Sequence, residues 1–307
     1  MGRIEAICIS KRRGTAKYQQ KEAMLQENWG IVGDAHAGIW HRQVSLLAKE
    51  KIEAFRKAGA TVAYGAFGEN LVVSGIDLRM LPIGSRLQIG DVILLLTQIG
   101  KECHDHCAIF YEVGTCIMPK EGVFAKVVKG GKVQVGETIA VLPPDRERPL
   151  TAAVVTLSDR AAAGVYEDQS GECIVDMLKQ AGYAVEERQL LPDHRQRLQQ
   201  ELIRLADQRQ VDLIVTTGGT GFSEKDVTPE ATKAVCDRMA PGIAAALLMK
   251  GLEITPRAML SRQTAGIRKK TLIVNLPGSP KACREGMEIL LPALEHGLRI
   301  LRGTEDG

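Results

Sequence analysis

The stretch Val211-Asp-Leu-Ile-Val-Thr-Thr-Gly-Gly-Thr-Gly-Phe-Ser-Glu-Lys-Asp-Val-Thr-Pro-Glu230 decides the fold of the C-terminal half. Residues 211–215 form a run short and apolar enough for a strand of a parallel sheet. Gly218, Gly219 and Gly221 then leave backbone N–H groups able to face an anion, and Asp226 supplies a hard oxygen ligand close by. Thr228 and Pro229 read as an N-cap and first helical position, so the next helix turns its positive end toward the same loop. The segment reads as a phosphate and metal site.

Strands expected at residues 152–157, 184–190, 211–216 and 272–276 alternate with helices expected at 170–181, 194–208, 229–238, 242–250 and 280–301. Such alternation predicts an α/β/α domain, a parallel sheet with helices on both faces. In open α/β sheets the ligand lies beyond the carboxyl ends of the strands. The four exits read Ser158-Asp159-Arg160, Pro192-Asp193, Thr217-Gly-Gly-Thr-Gly221 and Pro277-Gly-Ser-Pro280. One such edge could bring Asp193 and Asp226 to a shared cation, although Asp193 also suits a helix cap and Asp226 a loop Asx-turn. Magnesium takes one or two carboxylates and completes its shell with water and phosphates. The glycines lack a following Gly-Lys-Ser/Thr, so this is no Walker A loop. Ser261-Arg262 with Arg268 offers either a second phosphate clamp or a basic surface segment.

Pro143-Pro-Asp-Arg-Glu-Arg-Pro149 lacks apolar periodicity and reads as a linker, dividing the chain into domains 1–145 and 146–307. Upstream, short β-like runs at 4–9, 44–47, 70–73, 86–89, 92–97, 123–128, 133–135 and 138–142 surround one amphipathic helix near 48–58, a mainly β, barrel-like pattern. Gly130-Gly131 between two such runs predicts a hairpin. Directly after the run at 92–96, the segment Thr97-Gln-Ile-Gly-Lys-Glu-Cys-His-Asp-His-Cys-Ala108 gathers two thiols and two imidazoles. Zinc bound by Cys103, His104, His106 and Cys107, a reactive Cys103 thiolate beside cationic neighbours, and buried structural thiols all stay open.

The composition, 45% hydrophobic and 25% charged over 307 residues, is that of an ordinary globular protein, and 4% aromatic residues are too few for a base-stacking platform. Residues 1–145 hold 18 Lys and Arg against 15 Asp and Glu, leaving 22 of each for the remainder, so the net +3 is too small for a nucleic-acid footprint. The local basic stretch Lys11-Arg12-Arg13 with Lys17 and Lys21 reads as a solvated arm or an anion contact. No stretch approaches a membrane-spanning length, seven cysteines come without a secretory signal, and a cytoplasmic protein with reduced thiols is expected.

Leu157-Ser-Asp-Arg160, Asp168-Gln-Ser-Gly171, Leu191-Pro-Asp193, Thr216-Thr-Gly-Gly-Thr-Gly-Phe222, Asp226-Val-Thr-Pro-Glu-Ala-Thr232, Ser261-Arg262 and Asn275-Leu-Pro-Gly-Ser-Pro280, in that order, resemble the MogA/MoaB-like molybdopterin adenylyltransferases over residues 150–303. The resemblance implies a Rossmann-like fold, a homotrimer, and activation of molybdopterin by ATP and Mg2+ with release of pyrophosphate. Asp193 and Asp226 take the places of the family's catalytic and metal-binding aspartates. Ser158, Asp159, Gly218, Gly219, Thr220, Gly221, Ser261, Arg262, Asn275, Pro277, Gly278 and Ser279 take those of its pterin and nucleotide contacts. Lys225 stands where many relatives carry arginine, which keeps the charge and loses the bidentate fork.

Gly33-Asp-Ala-His-Ala-Gly38, His41-Arg-Gln-Val-Ser-Leu-Leu47, Gly65-Ala-Phe-Gly-Glu-Asn-Leu71 and Leu81-Pro-Ile-Gly-Ser-Arg-Leu-Gln-Ile-Gly-Asp91, with Thr97-Gln98 and Cys103, resemble a MOSC domain over residues 5–142. That resemblance implies that Cys103 carries sulfur or ligates cofactor molybdenum, and that His36, His41 and Arg42 line its pocket. The two resemblances together imply a bifunctional protein of molybdenum cofactor assembly, serving other assembly proteins or molybdoenzymes. A non-catalytic cofactor carrier is the alternative.

Overall fold

The structure, a computed structural model, describes residues 1–59, 61–101, 111 and 114–305. The chain divides into two compact units, Met1–Asp145 and Arg146–Gly307.

In the first unit, β1 (Gly2–Ile9), β5 (Val44–Ala48), β6 (Leu71–Ser74), β7 (Arg86–Ile89), β8 (Val92–Ile99), β9 (Val123–Lys129) and β11 (Thr138–Val141) follow each other in the order β11-β7-β8-β9-β5-β6-β1. The antiparallel pairing of Gly2 with Ile139 joins β1 back to β11 and closes a barrel, which removes the open edges. Alternate residues point inward: Leu87 and Ile89, then Val92, Leu94 and Leu96, are fully buried in one core. A second apolar cluster, with Ile52 of helix α1 (Lys49–Lys57), Phe67 and Met118 of α2 (Met118–Glu121), packs on other residues of the barrel wall.

Three short strands were not legible in the sequence: β2 (Tyr18–Gln20), β3 (Glu22–Gln26) and β4 (Gly30–Ile31). Their presence overturns the hairpin expected at Gly130-Gly131. The strand after the glycines, β10 (Gly131–Gln134), pairs with β3 in a separate sheet ordered β10-β3-β4. A Cβ on Gly130 would stand 2.7 Å from the Leu25 carbonyl oxygen, so the glycine serves a close crossing between sheets.

Lys17 is a second correction, because its side chain is fully buried and paired with the fully buried Asp34. Burial works against both charges, yet hydrogen bonds from His36 and Lys17 hold the Asp34 carboxyl well below its usual range. The polar neighbourhood of residues 11–21 hid a buried ion pair.

In the second unit, β12 (Thr151–Leu157), β13 (Ala184–Leu191), β14 (Leu213–Thr217) and β17 (Thr271–Leu276) are mutually parallel in the order β13-β12-β14-β17. The sheet is mixed rather than wholly parallel: β16 (Ala265–Arg268) and β15 (Arg238–Met239) extend it antiparallel beyond β17. The β16–β17 turn, Lys269-Lys270, carries none of the usual hairpin residues although Lys269 has φ 52°. Along β12, Ala152 and Val154 face one core while Ala153, Val155 and Leu157 face another. Helices α4 (Gln169–Gln180), α7 (Pro241–Ile254) and α8 (Pro280–Arg302) cover the first face. Helices α5 (Arg195–Ile203) and α6 (Thr228–Val235) cover the second, and the one-turn α3 (Asp159–Ala162) follows β12 at the sheet's carboxyl edge.

The ends of this unit are tied together. Arg302, on the last turn of α8, donates to both carboxylate oxygens of Asp212 and to the carbonyls of Arg148 and Pro149. Thr151 adds donors from its backbone N–H and hydroxyl to Asp212. Burial alone would raise the Asp212 carboxyl, but these donors hold it below its usual value. Its folded pKa is therefore below its unfolded one, so the contribution to stability is present above the unfolded value near pH 4 and is lost as pH falls through the folded value. With Arg302 and Asp212 side chains only 8% and 6% exposed, Arg302→Ala strands a buried carboxylate. The expected loss is about 3 kcal/mol in urea unfolding at pH 7, shrinking as the pH falls below 4.

Candidate active site

All four parallel strands end on one edge, and their exits meet. Gly218 holds the centre. Its φ is +92° and a Cβ there would lie 2.3 Å from the Leu157 carbonyl oxygen, while its N–H donates to Leu276 across the sheet. The exits of β12, β14 and β17 can approach this closely only around a glycine. Thr217 donates its hydroxyl to the Pro277 carbonyl at 2.8 Å, and Ser170 on α4 donates to Gly278 at 2.8 Å.

The glycine loop is held from behind. Thr228 is the first residue of α6 and not its cap: its hydroxyl donates to the Gly218 carbonyl at 2.8 Å. Asp226 closes its own loop, with Oδ2 accepting the Ser223 N–H at 2.8 Å. Arg262 donates to the carbonyls of Gly221 and Asp226 and pairs with Glu230, so its guanidinium braces the loop. Arg268 pairs with Asp207 and the Val235 carbonyl, and lines neither cleft described below.

Two clefts open on either side of this loop, both touching Gly219, Asp226 and Gly278. One, of about 520 Å3, has apolar walls from Leu247, Ile254, Leu260, Leu276 and Ile289, with Ser261, Gln263 and Arg257 as polar points. The other, of about 530 Å3, is polar and lined by Ser158, Tyr166, Asp168, Ser170, Asp193 and Thr217. Of the residues expected at the site, Ser158 and Asp193 face the polar cleft, Thr220, Gly221, Ser261, Pro277 and Ser279 the apolar one, and Gly218 the polar one.

Asn275 is fully buried beneath the edge, donating to Thr216 and Thr232 at 2.9 Å each. It lines neither cleft, and its Nδ2 pins β17 to β14 and α6. Ser158 and Ser279 cap α3 and α8 with their hydroxyls. Both helices therefore present positive ends to the edge.

Asp193 is not a helix cap, because His194 caps α5 through Nδ1. Its partner is Asp159: Asp193 N–H donates to Asp159 Oδ1 at 3.0 Å, and Asp159 N–H donates to Asp193 Oδ2 at 2.9 Å. Burial, joined by the charges of Asp159 and Asp226, raises the Asp193 carboxyl above its usual value. The hydrogen bond from Lys225, followed by the Asp193 N–H, lowers that of Asp159. Two carboxylates, Asp193 and Asp226, thus line the polar cleft beside backbone donors, a set of hard oxygens that suits a divalent cation completed by water and phosphate. Among the described residues no group of three or more His, Cys, Asp or Glu could hold a metal.

Sequence reasoning missed Tyr166; Thr217, Asp168 and Ser170 were visible within quoted motifs but were not singled out, and Thr228 was read as a helix cap where it braces the loop. Asp168 caps α4 and accepts from Thr156 at 2.7 Å and from Arg188. The Asp-x-x-Gly spacing of a capped helix was the available signal.

In the first unit, Cys103, His104, His106 and Cys107 lie outside the described residues. His41, at 2.7 Å from Gln98 Oε1, and Arg42, over the rings of Trp40 and Phe124, gather near the end of β8 that leads into that segment. His36 instead sits 3.1 Å from Lys17 Nζ.

A family model described as a probable molybdopterin binding domain matches residues 153–296, and one for the MOSC domain matches residues 33–140. The molybdopterin adenylyltransferase of Helicobacter pylori strain J99 is 45% identical over 155 residues, covering 49% of this chain and 87% of that protein. That of Escherichia coli K12 is 42% identical over 142 residues, covering 45% and 72%. The solved MoaB molybdopterin biosynthesis enzyme of Thermus thermophilus shares 41% identity, with 50% of this chain and 97% of that one covered and a TM-score of 0.48. The chain belongs to the molybdopterin adenylyltransferase family of enzymes through its second unit, and carries a MOSC domain ahead of it.

Substituting Gly218 by alanine forces a Cβ against the Leu157 carbonyl at a backbone angle that L-residues rarely adopt. Gly218→Ala is expected to lower stability by about 2 kcal/mol or more in thermal or urea unfolding.

Proposed function

We propose that the second unit adenylylates molybdopterin with Mg-ATP and releases pyrophosphate. The observation that carries this reading is the Gly219–Asp226 loop standing between an apolar and a polar cleft, with Asp193 facing it. Adenylylation requires a phosphate oxygen of the pterin to attack the α-phosphorus of ATP as pyrophosphate leaves, so two anionic molecules must be held end to end. Two clefts meeting at one anion-binding loop suit that need. Backbone N–H groups of residues 218–221 and the positive ends of α3 and α8 bind and orient phosphates. Asp193 and Asp226 would hold magnesium, which supplies charge neutralisation when bound. The apolar walls around Leu247 and Ile289 exclude water from the flat ring of one substrate.

The same reading takes the second unit as Rossmann-like and trimeric, in keeping with its family resemblance. Met249, Leu252 and Met259, exposed on α7 and just after it and outside both clefts, support burial against another subunit. The MOSC unit binds, transfers or sulfurates the cofactor through Cys103, a role that rests on the MOSC match and on His41 and Arg42 near the end of β8. Among the described residues no helix is long and apolar enough to cross a membrane.

Purified protein given molybdopterin, ATP and magnesium should release pyrophosphate, and Asp226→Ala should reduce the rate at least a hundredfold while leaving the fold intact by circular dichroism. Pterin binding with no pyrophosphate from the parent protein would make the chain a carrier and end the adenylylation reading. Asp193→Asn should likewise lower turnover, and it should raise the magnesium concentration needed for half-maximal rate.

A further inference from the structure

Lys225 and Asp159 belong to different loops, yet Lys225 Nζ donates to Asp159 Oδ2 at 2.6 Å. The other oxygen of Asp159 accepts the Asp193 N–H, and the Asp159 N–H holds Asp193 Oδ2. The remaining oxygen, Asp193 Oδ1, lies 3.7 Å from where a Cβ on Gly219 would stand, so it faces the glycine loop. A single chain of contacts thus runs from the tip of the glycine loop, through Asp159 at the start of α3, to the Asp193 carboxylate in the polar cleft. Neither Lys225 nor Asp159 lines either cleft.

We propose that Lys225, acting through Asp159, is a positioning residue: the pair latches the glycine loop to the exit of β12 and, through the hydrogen bonds that Asp159 exchanges with Asp193, fixes the orientation of the Asp193 carboxylate. The proposal rests on the adenylyltransferase reading above. With side chains 72% and 42% exposed, the pair stabilises the fold as a whole very little. Its effect is local. While Oδ2 of Asp159 is held by Lys225, the carboxylate cannot rotate, and its Oδ1 stays aligned on the Asp193 N–H. Without the ammonium, the Asp159 carboxylate can turn to water, the exchanged pair of hydrogen bonds loosens, and the Asp193 carboxylate no longer has one position. Misplacement on the scale of an ångström lowers turnover without weakening contacts made by the substrate's other groups.

The test uses the full chain with Lys225→Met, Lys225→Arg and Asp159→Asn. Lys225→Met is expected to lower kcat about tenfold or more, with KM for ATP within about twofold of the parent and an unchanged thermal midpoint. Lys225→Arg should restore most of the rate, because the charge is kept. Combining Lys225→Met with Asp159→Asn should cost little more than either change alone. Amide-resolved hydrogen exchange without ligands supplies a readout independent of turnover. In Lys225→Met the amides of Asp159 and Asp193 should exchange faster, while that of Gly171, held by Asp168 Oδ1 at 2.8 Å, keeps its rate. A raised KM for ATP at unchanged kcat would make Lys225 a phosphate contact and overturn the proposal, as would unchanged exchange at Asp159 and Asp193. If the parent shows no turnover, the adenylylation reading falls, and the exchange experiment alone still decides for or against the latch.

Discussion

The second unit depends on the close approach of backbone at Gly218. Leu157 and Leu276 end β12 and β17, Gly218 directly follows β14 between them, and its φ of +92° lets the chain turn within van der Waals reach of the first while hydrogen-bonding the last. From that point the exits diverge in a fixed order: α3 starts at Asp159, the glycine loop runs to α6, and α8 starts at Pro280. The two clefts share this loop as a common wall. Any widening at Gly218 would separate Asp193 from Asp226 and part the two halves of the site.

The polar groups around this point divide into those that touch the clefts and those that hold them open. Asn275, Thr228 and Arg262, hydrogen-bonded to buried hydroxyls or to backbone, fix loop positions, and Asp168 does so while also lining the polar cleft. Asp193 and Asp226 differ in kind, since each carboxylate looks into the polar cleft and Asp193 is raised by burial and by its like-charged neighbours. Like charges held this close repel, and a nearby cation would relieve that repulsion. The support network holds the two carboxylates together against that repulsion.

Much of this was legible in the sequence because its signals are local. The short apolar runs, the glycine turn and the proline-started helices of the second half state their own geometry, and four polar strand exits placed on a parallel sheet predict a common edge. What escaped was long-range or weakly patterned. Strands β2 to β4 are too short and polar for periodicity to reveal, and with them went the true partner of β10. Lys17 sits in a basic run, and nothing in its neighbours tells that Asp34 will meet it in the interior. Arg262 and Asn275 have the right chemistry for a ligand, but their direction depends on Glu230, Thr216 and Thr232, which only the folded chain brings near. Asp159, by contrast, was visible as a strand exit, while its exchange of hydrogen bonds with Asp193 was not.

The Arg302 clasp bears on the order in which the protein is made. Arg302 grips the carbonyls of Arg148 and Pro149 and the carboxylate of Asp212, so the start, middle and end of the second unit meet at one guanidinium. The barrel of the first unit closes in a comparable way when residue 139 reaches residue 2, long before the second unit has been synthesised. A ribosome therefore releases a finished barrel while the sheet of the second unit still waits for its final helical turn. Through that interval the apolar faces of β12 and β14 lack α8 as a cover, the kind of exposed surface that makes a partly folded chain prone to aggregate.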